Sequence, residues 1–332
     1  MKQIVAWAGN AYFVSHMRNA GYHVVVLPKS FRAVGWDDII EHCGTVPDMF
    51  IYGDCSVLPF LRDIESFPCP TIFYAIDTHI HSWYPRFAQA FDLCCVAMRD
   101  HLSAFAGHRL RDDQISWLPL FAKDQDRRTD IHDNPRYDVV FVGKNDPSLT
   151  PVRHRLLQEL GDKVPLTVLQ GRYNEVYARA KLVLNISEHG DLNFRVFEAL
   201  GCGACLITPR VGHGLLDLFS DGKDLFTYDA DDLPALVRLI RELLADESRR
   251  DRVADAGLAA VEGKHRAADR AREFMEWISA QDLTHLVRER LAAKEGIRQG
   301  YLRLLYLHLA KAEADAERAR MYMEFAGSGP VL

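Results

Sequence analysis

The chain has 332 residues, of which 48% are hydrophobic and 26% charged, and its net charge at pH 7 is -6. This length exceeds what one hydrophobic core usually serves, so the sequence predicts two domains. The acidic balance gives no electrostatic case for a nucleic-acid partner. No apolar run approaches the ~20 residues of a transmembrane segment, and Gly9 and Asn10 come too early for a signal peptide. We therefore expect a cytoplasmic protein.

Apolar runs alternate with helical patterns through residues 1–122. The runs are continuous rather than alternating, which indicates parallel strands covered on both faces. In chain order they are IVAWAG, HVVVLP, MFIYGD, TIFYAID, LCCVAM and ISWLPL, with helical patterns between them that include Leu58–Ile64. The sequence thus predicts a Rossmann-like, doubly wound α/β domain.

A charged stretch with little apolar content, residues 123–136, reads as a linker. A second series of apolar runs and helical patterns follows over residues 137–279, which predicts a second Rossmann-like domain. Residues 280–332 are helical and rich in charge. We expect this C-terminal extension either to pack on its own domain or to form a dimer or bind a partner through its helices.

The seven cysteines lack the spacing of a disulfide framework. Cys202 and Cys205 form one C-x-x-C pair beside glycines. Small packing residues at a turn explain this pair more simply than a redox or metal site does, although both interpretations stand at this point.

The stretch from Leu182 to Arg210 reads as strand, loop, helix and strand. In open α/β sheets, ligands bind beyond the carboxyl ends of such strands. Arg195 stands at the helix start, where free backbone N–H groups also favour an anion. Glu198 lies three residues later on the same face, where it either accepts hydrogen bonds from a vicinal diol such as ribose or forms an ion pair with Arg195.

The run LNISEHGDLNFRVFEALGCGACLITPR, followed by GLLDLFSDGKDLFTYD, resembles the donor-binding half of GT-B glycosyltransferases. It is most similar to the bacterial spore-maturation-protein-like group among the group 1 glycosyl transferases, and the resemblance spans about Tyr137 to Ile278. It implies a GT-B fold and sugar transfer from a nucleoside diphosphate sugar without a metal or other cofactor. It also implies that Glu198 holds the ribose and that Arg195 holds the diphosphate.

The same resemblance implies further donor-binding residues at strand ends and loops. They are Gly143 and Lys144 against the pyrophosphate, Gln170 and Arg172 near the base, and the loop with Glu188, Gly190, Asp191 and Asn193 facing the sugar. His213 stands between Gly212 and Gly214, which allow close approach of the backbone, so we expect it near the phosphates or the sugar. One position departs from the pattern. Retaining enzymes of this fold have a glutamate where this chain has Gly190, so the stereochemistry is left open, with Glu188 and Asp191 flanking that position.

In the first domain, Gly9 and Asn10 end the first predicted strand, where related enzymes place a glycine loop. Asp77, His79 and His81 follow another strand and would share one face of an extended chain. They could bind a metal, although no fourth ligand is evident. They could instead supply the catalytic base, with Asp77 or His79 best suited, or cap the strand end.

The interpretation that follows is a glycosyltransferase acting on a nucleotide-sugar and an acceptor glycan, lipid or protein. Two alternatives remain at this point. One is a sugar-nucleotide epimerase of the same fold, and the other is a non-catalytic interaction protein built on a degenerate transferase.

Overall fold

Each half of the chain builds a parallel β-sheet flanked by helices, as the computed structural model shows. The structure describes residues 2–28, 33–129 and 135–327. It divides into two units, of which the first comprises Met1–Leu118 with Ala271–Leu332 and the second Pro119–Arg270. The prediction of an α/β chain with two Rossmann-like domains and a helical C-terminal region is confirmed.

The first unit contains six parallel strands, and all five residues of both central strands, β3 and β4, are buried. The strands are β1 (Ile4–Gly9), β2 (His23–Val26), β3 (Met49–Gly53), β4 (Thr71–Ala75), β5 (Leu93–Val96) and β6 (Ile115–Trp117). Between them lie the helices α1 (Val14–Asn19), α2 (Trp36–Cys43), α3 (Tyr84–Ala88) and α4 (Leu102–Phe105). The sheet order is β2-β1-β3-β4-β5-β6, so the strand order reverses between β1 and β3.

The predicted helix over Leu58–Ile64 is wrong. Leu61 instead forms a parallel bridge with Val34, and the Val34 amide donates to Phe60 O at 2.9 Å. Pro59 lies inside the stretch and has no backbone N–H to donate. A short 3₁₀ turn over Ile64–Ser66 is the helical structure that forms here.

The second unit repeats this arrangement with five parallel strands. They are β7 (Tyr137–Val142), β8 (Leu166–Leu169), β9 (Ala180–Leu184), β10 (Leu206–Pro209) and β11 (Phe226–Tyr228). The helices are α5 (Pro151–Gly161), α6 (Tyr173–Tyr177), α7 (Phe194–Gly201), α8 (Leu215–Leu218), α9 (Leu233–Ala245) and α10 (Glu247–Lys264). The next helix, α11 (Ala267–Ser279), begins in this unit, and from Ala271 onward its residues belong to the first unit. The sheet order β11-β10-β9-β7-β8 reverses between β7 and β9.

The C-terminal helices pack into the core of the first unit. They are α12 (Leu283–Ile297), α13 (Arg303–Ala312) and α14 (Ala316–Phe325), with a π-helical segment, Arg298–Leu302, between the first two. Leu305, Tyr306 and Leu309 on α13 share that unit's hydrophobic cluster with Phe50 and Phe73 of its sheet. The units therefore divide the chain differently from the predicted bounds, because residues 280–332 bury their apolar side chains beside residues of the 1–122 stretch.

Arg290 of α12 fixes this packing. Its guanidinium is fully buried and pairs with Asp92 at 2.9 Å. It also donates to the carbonyl oxygens of Ile64, Phe67 and Cys69 at 2.8–3.0 Å. Each donation goes to a fixed acceptor, which a buried cation requires.

The predicted linker is partly built into the second unit. Ala122 bridges Arg266, and the Lys123 amide donates to Asp126 Oδ2 at 2.8 Å. Residues 130–134 of that stretch lie outside the described residues. Among the helices that the structure describes, none combines the length and the apolar character that crossing a membrane requires.

Candidate functional site

A cavity of about 300 Å³ opens at the carboxyl ends of β7 and β8 in the second unit. Parallel strands bring their carboxyl ends to one edge, and the strand order reverses beside β7, which is where ligands bind in open α/β sheets. Five predicted donor-binding residues line it: Gly143, Lys144, Gln170, Arg195 and Glu198. The other lining residues are Val142, Gly171, Tyr173 and Tyr177.

Arg195, in the first turn of α7, is held by the two strands at the point of reversal. Its Nε donates to Val142 O at 3.1 Å and its Nη1 to Asn185 Oδ1 at 2.7 Å. A Cβ at Gly143 would lie 2.9 Å from Arg195 Nη2, so glycine is the residue that admits the guanidinium here. The result is a fixed cation in the cavity wall, suited to an anionic guest.

Glu198 pairs with Lys123 rather than with Arg195. Lys123 Nζ lies 2.8 Å from Glu198 Oε1, and 11% of the glutamate side chain is exposed. The ammonium also lies 5.1 Å from the ring of Phe194 and 5.5 Å from that of Tyr173. The ion pair that spacing alone allowed between residues 195 and 198 is therefore replaced by one with a distant part of the chain.

The segment carrying Lys123 adds polar groups that the sequence analysis missed. Tyr173 donates its hydroxyl to Asp126 Oδ1 at 2.8 Å, and the Asp126 side chain is fully buried. Burial raises the pKa of the Asp126 carboxyl, and it also raises the pKa of the Tyr173 hydroxyl. The stretch reads as linker because of its charge, and no spacing in it points to a site about 75 residues away.

Arg153, on α5, is a further cation that was not predicted. Its Nη1 donates to Lys144 O at 3.1 Å, and its guanidinium lies 5.5 Å from the Phe141 ring, which Arg195 also approaches at 5.0 Å. Burial lowers the pKa of Arg153, and the nearby charge of Arg195 lowers it further. Two guanidinium groups and Lys144 thus gather at the end of β7. The signal in the sequence was a basic residue two positions after Pro151, since proline is common at the first position of a helix.

The loop before α7 places its predicted residues outside the lining of this cavity. Glu188 accepts from the backbone amides of Val152 and Arg153 at 3.0 Å each, so it caps the N-terminus of α5. Asp191 accepts from the Ser187 hydroxyl at 2.5 Å. Gly190 is exposed with φ of 74°, and Asn193 occupies the position just before α7.

Arg172 and His213 also lie outside the cavity lining. Arg172 forms an exposed ion pair with Glu175 at 3.0 Å. His213 has φ of 57° and is followed by Gly214 with φ of 88°, so two consecutive residues in the left-handed region precede α8.

The C-x-x-C pair consists of two buried free thiols. Burial raises the pKa of Cys202 and raises that of Cys205 to about 12. Thiols so far from ionisation are unreactive, which fits packing residues.

In the first unit, the corresponding strand ends lie at Gly9 and Gly53. A Cβ at Gly9 would lie 1.9 Å from Gly53 O, so the backbone at the end of β1 approaches the backbone at the end of β3 more closely than any residue but glycine permits. The Asn10 backbone carbonyl accepts from Trp7 Nε1 at 2.8 Å, and the Asn10 side-chain Nδ2 donates to the Tyr12 hydroxyl at 2.9 Å.

Asp54, which follows β3, was not predicted and organises this edge. Its buried carboxylate accepts from the amides of Ser56, Ile76 and Asp77 at 2.7–2.8 Å and from the Tyr84 hydroxyl. The run MFIYGD carried the signal, since an aspartate directly follows the glycine that ends a buried strand. Asp54 thereby fixes the backbone from which Asp77 projects.

Asp77, His79 and His81 lie beside this anchor. Burial raises the pKa of Asp77, and the charge of Asp54 raises it further. His81 Nε2 lies 2.9 Å from Ser56 Oγ. Over the described ranges, no three His, Cys, Asp or Glu side chains are grouped as metal ligands would be. A carboxyl with a raised pKa is a common feature of general bases.

Comparisons with known proteins match a family profile to part of this chain and its fold to solved structures. Residues 130–276 match the family profile described as glycosyl transferase-like. A sequence search of curated proteins gave no match.

Solved structures match over most of the chain at low sequence identity. HepE from Anabaena, in complex with UDP and glucose, has a TM-score of 0.59 at 11% identity over 84% of this chain and 100% of its own. Sucrose-phosphate synthase from Thermosynechococcus elongatus has a TM-score of 0.58 at 12% identity over 84% of this chain and 98% of its own.

An α-glucosyltransferase in complex with UDP-glucose and DNA with an abasic site has a TM-score of 0.57 at 10% identity, over 84% of this chain and 99% of its own. Identities this low show the fold, and the profile match covers the second unit from residue 130 onward, including all the residues that line the cavity. Residues 130–276 thus form a glycosyl transferase-like domain, and the chain as a whole has the fold of GT-B glycosyltransferases.

Proposed function

We propose that the protein transfers a sugar from a nucleoside diphosphate sugar to a hydroxyl of an acceptor glycan, lipid or protein. The observation that carries the proposal is the cavity at the end of β7, in which Glu198 stands with Lys144 and Arg195. A carboxylate suits the ribose diol, and the two cations suit a diphosphate. Structural neighbours bound to UDP or UDP-glucose make a uridine diphosphate sugar the first candidate.

The chemical demand of the reaction is to stabilise the diphosphate as it departs. Arg195 is held in place by Val142 and Asn185 before any ligand arrives, so its charge needs little reorganisation. Lys144 supplies a second, mobile charge. Arg153, near both, supplies a third. These cations support transfer without a metal, and we expect activity to persist in excess EDTA.

We propose that Asp77 of the first unit takes the proton from the acceptor hydroxyl, with His79 as the second candidate. The raised pKa of Asp77 makes it a better proton acceptor than an ordinary aspartate. Asp54 acts as a positioning residue, since it binds the Asp77 amide at 2.7 Å.

Titration with nucleotides tests the proposal. Loss of a charged hydrogen-bonding partner costs ~1.5–3 kcal/mol, so Glu198→Ala should weaken UDP binding roughly 10- to 100-fold. Isothermal titration calorimetry of wild type and variant measures this, with Glu175→Ala as the control, because Glu175 pairs with Arg172 at the surface. Equal affinities in wild type and Glu198→Ala would remove Glu198 from the site.

Two further outcomes would overturn the transferase assignment. Conversion of a nucleotide-sugar into its epimer without acceptor, followed by NMR, would show an epimerase. Absence of binding to any nucleoside diphosphate in a thermal-shift screen would indicate a non-catalytic interaction protein, since a ligand of the folded state raises its melting temperature.

A further inference from the structure

Lys123 forms a direct contact with the carboxylate proposed for the ribose. Its Nζ lies 2.8 Å from Glu198 Oε1 and 3.4 Å from the Tyr173 hydroxyl. The same hydroxyl donates to Asp126, so toward Lys123 it acts as an acceptor. The ammonium group thus has one charged and one neutral acceptor, and it has three protons to donate.

The position of Lys123 is set by the surrounding backbone. Its amide donates to Asp126 Oδ2 at 2.8 Å, and its carbonyl accepts from Arg266 Nη1 at 3.2 Å. Arg266 Nη2 also lies 3.3 Å from the carbonyl of Gly201, at the end of α7. The segment with Lys123 is therefore tied to the helix that carries Glu198.

The pair also changes the charge at the cavity. The Glu198 side chain is 11% exposed, so its ionised form needs a nearby cation. Without Lys123, that carboxylate would repel the phosphates of a nucleotide entering the same cavity. With Lys123 the pair is neutral overall, and each Glu198 oxygen keeps a lone pair for a hydroxyl proton.

We propose that Lys123 is a specificity-determining residue, which together with Glu198 reads the ribose diol of the donor nucleotide. The inference rests on the proposed function and adds Lys123 to Glu198 as a second residue that recognises the ribose. A vicinal diol offers two protons and two acceptor oxygens. Glu198 accepts the protons, and the third ammonium proton of Lys123 donates to a hydroxyl oxygen.

The test compares UDP with 2′,3′-dideoxyuridine diphosphate, which lacks both ribose hydroxyls, by calorimetry. Wild type should bind the dideoxy nucleotide about 10- to 100-fold more weakly than UDP. In Lys123→Met, the uncompensated charge of Glu198 should weaken both nucleotides, and UDP affinity should fall about tenfold further, so the ratio between the two falls about tenfold.

Lys144→Met is the matched control, because Lys144 is a lysine that lines the cavity itself, whereas Lys123 contacts the lining residue Glu198, and Lys144 is proposed to act on the diphosphate. It should weaken both nucleotides alike and leave the ratio unchanged. Lys123→Arg keeps the charge and should retain most of the wild-type ratio. It also serves as the test variant if Lys123→Met does not fold, with Lys123→Gln as its uncharged partner.

The outcomes separate the two proposals. In one outcome, wild type binds UDP, and Lys123→Met has the same ratio of UDP to dideoxy affinity as wild type or a larger one. That outcome would overturn the role of Lys123 and leave the proposed donor site unaffected. An equal fall of the ratio in Lys123→Met and Lys144→Met would also overturn it, because the effect would not belong to the ribose. No UDP binding by wild type would overturn the uridine donor and, with it, this assignment.

Discussion

The two units place opposite chemistry at the same point of the same sheet order. In the second unit, the strand ends at the reversal gather Lys144, Arg153 and Arg195. In the first unit, the end of β3 at the reversal and the end of the neighbouring β4 gather the carboxyls of Asp54 and Asp77. The strand order determines where a site forms, and the loop residues determine what it binds.

The difference extends to how each charge is held. Asp54 is buried and receives three amides and a hydroxyl, so its role is to organise backbone. Arg195 donates from Nε and Nη1 to acceptors on Val142 and Asn185, and it also lines the cavity. It is therefore both anchored to the sheet and placed to bind a ligand. Substitution of Asp54 should therefore act mainly on stability, and substitution of Arg195 mainly on ligand affinity.

The largest expected effect is in the first unit. Asp54→Ala leaves the amides of Ile76 and Asp77 and the hydroxyl of Tyr84 without their acceptor. Each unsatisfied buried group costs ~1–3 kcal/mol, so unfolding free energy should fall by at least about 3 kcal/mol. All five tryptophans, Trp7, Trp36, Trp83, Trp117 and Trp277, belong to this unit, so denaturation followed by tryptophan fluorescence reports on it alone.

The control for that experiment is Asp113→Ala. Asp113 is 64% exposed and pairs with Arg111 at 3.2 Å, so its loss should change the unfolding free energy by less than ~1 kcal/mol. Similar shifts for the two variants would contradict the anchoring role of Asp54.

A smaller effect is expected in the second unit. Arg195→Met should weaken UDP binding about 10- to 100-fold, because a charged hydrogen-bonding group leaves the cavity wall. Arg172→Met, at an arginine that is 83% exposed and paired with Glu175, should change affinity less than about twofold. Calorimetry measures both, and a comparable loss in Arg172→Met would break the distinction between the cavity and the surface.

The smallest effect concerns pH. The pKa of Asp77 is raised in the folded state by burial, so its protonated form favours folding. This contribution is fully present below the ordinary value of 3.8 and is lost as pH rises through the folded pKa. Asp77→Asn stays neutral, so its tryptophan-detected denaturation midpoint should exceed that of wild type at pH 7 and approach it toward pH 4.

The same substitution tests catalysis. If Asp77 is the base, transfer by wild type should fall as pH drops through the raised pKa, and Asp77→Asn should lose activity while keeping UDP affinity. A variant that is less stable than wild type at pH 7, or that transfers sugar at the wild-type rate, would contradict the assignment.

Much of the fold followed from continuous apolar runs, which are typical of strands covered on both faces. The helix predicted over Leu58–Ile64 failed because its pattern could not reveal the bridge between Leu61 and Val34. Arg195 and Glu198 could be placed together because three residues on a helix share a face. Lys123 and Arg153 could not be assigned to the site from the sequence, since only tertiary packing brings them close to Glu198 and Lys144.

The position of Arg290 has a consequence for how the chain acquires its structure. Arg290 is 198 positions from Asp92 and 226 positions from Ile64 in the sequence, and it contacts both. Contacts of such long range form slowly, because a large loop must close first. During synthesis, the second unit has its whole segment, Pro119–Arg270, available before α12 emerges. The first unit therefore completes its core last, although its sheet is made first, and until then the surface that α12–α14 will cover is open to chaperones.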